Sequence, residues 1–155
     1  MTVEHEEEII ACDLQRMDTL KKRPSSRTVY LDECNIFTIA HAEAHGVHKV
    51  SKHWDSYIKR LSALSAKVIF LDIPPETSWE RRRRRYEQRL VYFPVEEHEH
   101  LMASYENYLG AVYPLLKKVY HQLPFPKRII DATMPTKSVL ENVSRALSEL
   151  SDTFK

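Results

Sequence analysis

The chain has 155 residues, 43% of them hydrophobic and 29% charged, a globular balance that excludes a disordered tail and lets one domain bury about 68–70% of its unfolded surface. Lysine and arginine number 23 against 22 aspartates and glutamates, a net charge of +1, which argues against a general attraction to nucleic acid or to an anionic membrane. Only two glycines occur, Gly46 before Val47 and Gly110 before Ala111, so neither G-x-x-x-x-G-K-[ST] nor G-x-G-x-x-G can be written in this chain.

From Val3 to Lys22, apolar Ile9, Ile10, Leu14, Met17 and Leu20 recur at helical spacing before Arg23-Pro24-Ser25-Ser26 breaks the pattern. The acidic start Glu4, Glu6, Glu7, Glu8 is the opposite of a leader peptide, and no apolar run approaches the roughly 18 residues of a membrane span. A soluble, cytoplasmic protein with no membrane contact is expected. Next comes a β-rich run, Val29-Tyr30-Leu31-Asp32, with Cys34 beside it as a small apolar residue. Cys12 and Cys34 are too few for a disulfide framework or a zinc ribbon. His41-Ala42-Glu43-Ala44-His45 has the wrong order for a His-Glu-x-x-His zinc helix and reads as a partly exposed helix face.

Ser51 is expected to cap a helix through Trp54, Ile58, Leu61 and Leu64. Val68-Ile69-Phe70-Leu71-Asp72 is a second β-rich run, after which Pro74-Pro75-Glu76 opens an arginine-rich helix whose first-turn amides need no partner. A longer helix from about Glu96 carries Leu101, Tyr105, Tyr108, Val112, Leu115 and Val119 on one stripe, with Pro114 as a kink. Arg128-Ile129-Ile130-Asp131 is the third β-rich run, and Thr136 is expected to cap a last helix burying Val139, Leu140, Val143, Leu147 and Leu150. No repeat or linker divides the chain, so residues 1–155 read as one domain.

The three β-rich runs lack polar alternation and are separated by long helices. That predicts an α/β fold of three layers, a parallel sheet with crossover helices on both faces. Ligands of such sheets bind at the carboxyl ends of the strands, where Asp32, Asp72 and Asp131 fall. Strand-end aspartates hold magnesium, orient a hydroxyl or cap the following loop. The strongest local feature is Glu80–Arg89, six arginines against two glutamates, or +4 over ten residues. On a helix only subsets such as Arg81 with Arg85, or Arg85 with Arg89, converge on one anion, and the planar guanidinium fork suits phosphate oxygens. The competing reading is a basic surface helix paired with acidic Glu96-Glu97-His98-Glu99, or a nuclear-import-like basic run.

Taken in order, these pieces resemble the C-terminal two-thirds of a P-loop nucleoside or nucleoside-monophosphate kinase, nearest to the thymidylate kinase-like group. The resemblance spans about Glu6 to Leu150, and its most specific part is Val68–Glu76 followed by Arg81 and Arg85, similar to the family's strand, Pro-Pro-Glu helix start and lid arginines. Glu97 through Tyr108 is similar to the helix after the lid, and Ile130-Asp131-Ala132-Thr133 looks like the last strand and the loop against the adenine ring. Asp13-Leu14-Gln15-Arg16 resembles the helix whose arginine approaches the acceptor.

The resemblance implies ATP-dependent phosphoryl transfer to a nucleoside, a nucleoside monophosphate or another small acceptor, with ATP and magnesium as cofactors. Asp32 would lie by the magnesium and the acceptor phosphate, and Arg81 and Arg85 would clamp the transferring phosphates. Arg16, Glu33 and Arg89 would meet the acceptor, and Ala132 and Thr133 the adenine. Glu33 departs from the family, which commonly places an arginine there; a carboxylate repels a monophosphate and favours a neutral acceptor. The family's first strand and phosphate loop are not in this sequence, so relative to it the domain is truncated, and three arrangements are open: the remaining strands pair directly, a homo-oligomer or partner segment completes the sheet, or the chain is part of a longer product. Without the loop's amides and lysine, electrostatic preorganisation for transfer is weakened. The alternative reading is a non-catalytic binding or assembly module on the same scaffold.

Overall fold

The computed structural model describes residues 3–22 and 35–152. Six α-helices and two strands follow in order: α1 (Val3–Lys21), α2 (Thr38–Ala44), α3 (Trp54–Ala63), β1 (Val68–Asp72), α4 (Pro75–Arg89), α5 (His98–Gln122), β2 (Lys127–Asp131) and α6 (Thr136–Asp152). Short 3₁₀ turns fill Asn35–Phe37, His48–His53, Leu90–Tyr92 and Val95–Glu97. The described residues divide into two compact units, one made by residues up to Lys67 with Leu115–Phe125, the other by Val68–Pro114 with the residues from Pro126 onward.

In the first unit α1 buries Glu6, Ile10 and Met17, positions spaced four and seven apart that lie along one face of a helix. Acidic Glu4 and Glu6 in its first turn and Lys21 in its last suit the helix dipole. Ile36, Ile39, Ala40, Val50, Tyr57 and Leu61 are nearly or wholly buried in the same unit. Polar bonds tie α1 to its neighbours: Asp13 Oδ2 accepts the Thr38 and Tyr57 hydroxyls, each at 3.2 Å. Arg60 grips both carboxylate oxygens of Asp18 at 3.0 Å.

Both α2 and α3 end in the same hydrogen-bonded motif. After α2, Gly46 N donates to Glu43 O at 2.9 Å and Val47 N to Ala42 O at 2.8 Å, with Gly46 at φ +77. After α3, Ser65 N donates to Ser62 O and Ala66 N to Leu61 O, both at 3.0 Å, with Ser65 at φ +51. This Schellman pairing satisfies carbonyls that a helix end otherwise leaves open. The expected cap at Ser51 is not made: its hydroxyl donates to His48 O at 3.0 Å within the 3₁₀ turn, and α3 starts only at Trp54. His48 and His53 bound that turn.

The second unit holds the two strands, parallel and in register from Val68 opposite Lys127 to Asp72 opposite Asp131. As expected, α4 opens on prolines, with Pro74 at the cap position and Pro75 inside the first turn. Pro114 lies inside α5, and α6 begins at Thr136 itself, its first turn closed by Val139 N donating to Pro135 O at 3.1 Å. Trp79 and Tyr86 of α4 and Tyr105 of α5 form a stacked series, with ring centroids 5.7 and 4.2 Å apart.

The three-layer α/β expectation, and with it a P-loop kinase-like fold, is corrected by these elements. Helices take up 78% of the described residues, and the sheet has two strands. Apolar runs without alternation do mark β1 and β2, but the same pattern predicts cover on both faces, and Leu71 and Ile129 remain 47% and 46% exposed. The third run, Val29–Asp32, lies outside the described residues. No helix among the described residues is long and apolar enough to cross a membrane.

Candidate functional site

Parallel register brings the carboxyl ends of β1 and β2 together, and the chain is built tightly there. Ala132 N donates to Asp72 O at 2.8 Å, carrying the pairing one residue past β2. Tyr113 Oη donates to Asp72 Oδ1 at 2.8 Å. Asp131 Oδ1 accepts the Thr133 amide at 2.8 Å and the Thr133 hydroxyl at 2.6 Å, an aspartate turn that folds the loop back on its own strand. The Thr133 hydroxyl first, then the Thr133 amide, with the charge of Arg81 adding, holds the Asp131 carboxyl below its ordinary range.

Arg81 reaches the same loop from α4. Its Nη1 donates to Ala132 O at 2.6 Å, and its Nη2 to Thr133 O at 2.7 Å and more weakly to Met134 O at 3.4 Å. Three successive carbonyls thus face one guanidinium, a use of its fork that a lysine could not copy. One helical turn on, Arg85 is exposed, as is Arg89 a turn later. Neither makes an ion pair or hydrogen bond among the described residues. The pairing of this basic helix with Glu96, Glu97 and Glu99 that the competing reading required is not formed among the described residues; the ion pair made by α4 runs within the helix, Arg83 to Glu87 at 2.9 Å.

Arg81, Ala132 and Thr133 therefore gather at one strand edge with Asp72 and Asp131, while Arg85 lies one helical turn further along α4, exposed. Arg16 is exposed on α1, in the other unit. Asp32 and Glu33 lie outside the described residues. Tyr113 was not legible as a site residue, since an aromatic within a long amphipathic helix reads as core. The turn-forming spacing of Asp131 and Thr133 was the signal for the aspartate turn. A groove of about 270 Å³ beside β2 reaches from Asp131 to Arg145 and Glu149 of α6, with Arg128 paired to Glu149 at 3.2 Å.

Among the described residues no three histidine, cysteine, aspartate or glutamate side chains gather to hold a metal. Asp72 and Asp131 already accept internal hydrogen bonds. The described residues alone do not make a magnesium site. Compared with models of known protein families, with curated proteins and with solved structures, the chain matches none.

Proposed function

We propose that the edge formed by β1, β2 and α4 binds the phosphates of a nucleotide, ATP with its magnesium ion, and serves phosphoryl transfer to a nucleoside, nucleoside monophosphate or other small acceptor in the cytoplasm. The observation that carries this reading is the division of labour on α4. Arg81 fixes the loop at Ala132 and Thr133, which leaves Arg85, one turn on and unpartnered among the described residues, to meet an anion beside that loop. Its fork can take two phosphate oxygens and offset the charge that moves between them in transfer.

A second reading, binding without transfer, is favoured by one specific observation. The guanidinium that the kinase resemblance assigns to phosphate, Arg81, is spent on main-chain carbonyls, and the sequence contains no glycine-rich phosphate loop. Calorimetric titration with magnesium-ATP, followed by incubation of γ-labelled ATP with a panel of nucleosides and monophosphates, separates the two. Binding with transfer supports the first reading and binding without it the second; no binding overturns both. Arg85→Ala should weaken ATP by about tenfold or more, as expected for loss of one charge-assisted contact, with no change in the unfolding midpoint.

A further inference from the structure

The turn joining α4 to α5 carries the three most exposed large apolar side chains among the described residues, Tyr92, Val95 and Val91, with half-exposed Phe93 between them. Val91 is 75% exposed, Tyr92 82%, Phe93 42% and Val95 79%. Four such residues within five positions are an unusual surface for a soluble chain and mark a contact. The segment is held in shape: Phe93 N donates to Leu90 O at 2.9 Å, Glu97 N to Pro94 O at 3.0 Å, and the His98 ring bonds Phe93 O at 3.1 Å. Its apolar groups are thus presented by a structured turn, which lowers the ordering cost of binding.

Opposite charges flank this apolar turn. On its N-terminal side Arg82, Arg85 and Arg89 recur at spacings of three and four, along one face of α4. On its C-terminal side stand Glu96, Glu97 and Glu99, all exposed. Apart from the internal Arg83–Glu87 pair, these arginines of α4 and these glutamates form no ion pair among the described residues. A membrane or a nucleic acid, negative throughout, would be drawn by the arginines and repelled by the three carboxylates that follow Arg89 by 7 to 10 positions. A partner must carry both signs around an apolar centre, and this chain presents that arrangement itself.

We infer that the α4–α5 turn is a self-association surface. Two copies meet about a two-fold axis with Val91, Tyr92 and Val95 against their counterparts, and the Arg82 and Arg89 side of each faces Glu96 and Glu97 of the other. A two-fold contact is isologous, so each arginine–glutamate pair occurs twice in the dimer. An apolar centre with a charged rim is also the usual anatomy of such an interface.

Sedimentation of the full chain tests this. The wild type should be dimeric at about 50–100 µM and dissociate as salt rises, because rim pairs are screened; a chain that stays monomeric overturns the proposal. Arg82→Glu/Arg89→Glu and, separately, Glu96→Arg/Glu97→Arg should each be monomeric, since each homodimer then opposes like charges. Mixed one to one, the two variants should form a heterodimer. Variants that remain dimeric alone, or a mixture that stays monomeric, would place any association elsewhere. Tyr92→Ser/Val95→Ser changes only exposed positions and should also give a monomer, with an unchanged unfolding midpoint at low protein concentration; a dimer in that variant counts against the apolar centre.

Discussion

Arg81 donates through Nη1 to the carbonyl of Ala132, 51 positions further along the chain, at 2.6 Å. With Nη2 on Thr133 O at 2.7 Å, the side chain acts as a brace between α4 and the loop after β2. Hydrogen bonds to a charged donor contribute about 1.5–3 kcal/mol where water is excluded and less at a surface. Arg81→Ala should therefore lower stability by about 1–2 kcal/mol, read as a drop in the urea midpoint. Arg81→Lys should recover little, since an ammonium cannot span successive carbonyls as a fork does. If Arg81→Ala matches Arg85→Ala, with both midpoints at the wild-type value, the brace has no energetic role.

The same loop gives a pH-dependent expectation. Asp131 is held below its ordinary value of 3.8, first by the Thr133 hydroxyl and then by the Thr133 amide. A depressed carboxyl contributes stability above the unfolded value and loses it as pH falls through the folded one. Thr133→Val removes the hydroxyl and keeps the amide, so the Asp131 carboxyl should titrate at higher pH than in the wild type. Carboxyl carbon shifts followed by NMR from pH 6 to 2 would reveal this. Coincident curves would mean that the hydroxyl does not hold the charge.

How far the sequence reached is clearest at β1 and β2. Val68–Asp72 and the Ile129–Asp131 stretch were legible because β-branched residues without alternation fit a pleated, partly buried strand, and Pro74-Pro75 marked the helix that follows. The number of layers was not legible. Continuous apolarity signals a strand but cannot report what covers its faces, and the exposure of Leu71 and Ile129 depends on packing from distant segments. Arg81 shows the same limit at the site. Its spacing from Arg85 placed both on one helix face, but carbonyls 51 positions away decide what the guanidinium binds. Ser51 departs from its expected role for a local reason: a serine before an apolar helix caps it only when the chain enters directly, and here its hydroxyl closes a 3₁₀ turn onto His48.

Gly46 and Ser65 occupy equivalent places after α2 and α3, with φ of +77 and +51. Left-handed backbone is easy for glycine and costs a side-chain-bearing residue about 1 kcal/mol. Ser65→Gly should raise stability by about 0.5–1 kcal/mol, and Gly46→Ala should lower it by about 1 kcal/mol. No heavy atom lies within 4 Å of a Cβ added at Gly46, so the loss there would report backbone strain alone. Equal signs in the two unfolding curves would contradict this account.

Asp13 illustrates the opposite pH behaviour to Asp131. Burial raises its carboxyl above the ordinary 3.8, against the lowering effect of hydrogen bonds from Thr38 and Tyr57. A raised carboxyl makes the ionised protein less stable, and that cost disappears as pH drops below the unfolded value. Asp13→Asn keeps an oxygen to accept both hydroxyls and removes the charge. Its stability relative to the wild type should be higher at pH 7 and converge with it at pH 3. A constant offset across that range would assign the effect to packing.

Glu6 is 2% exposed, and its Oε1 has no hydrogen-bond partner. It occupies the stripe of α1 on which Ile10 and Met17 are buried, a position where the helix period calls for an apolar side chain. Leaving a buried polar oxygen unpaired costs about 1–3 kcal/mol, more when it carries charge. Leucine is close in volume, continues the stripe and favours helix as well as glutamate does. Glu6→Leu should therefore raise stability by about 1–3 kcal/mol, while Glu6→Gln, which keeps a polar group there, should gain less. Urea denaturation of the three proteins at pH 7 ranks them, with the leucine variant expected to unfold last. A leucine variant less stable than the wild type would mean that the carboxylate is needed by the surrounding fold, and that its second oxygen contributes more than the orphaned one costs.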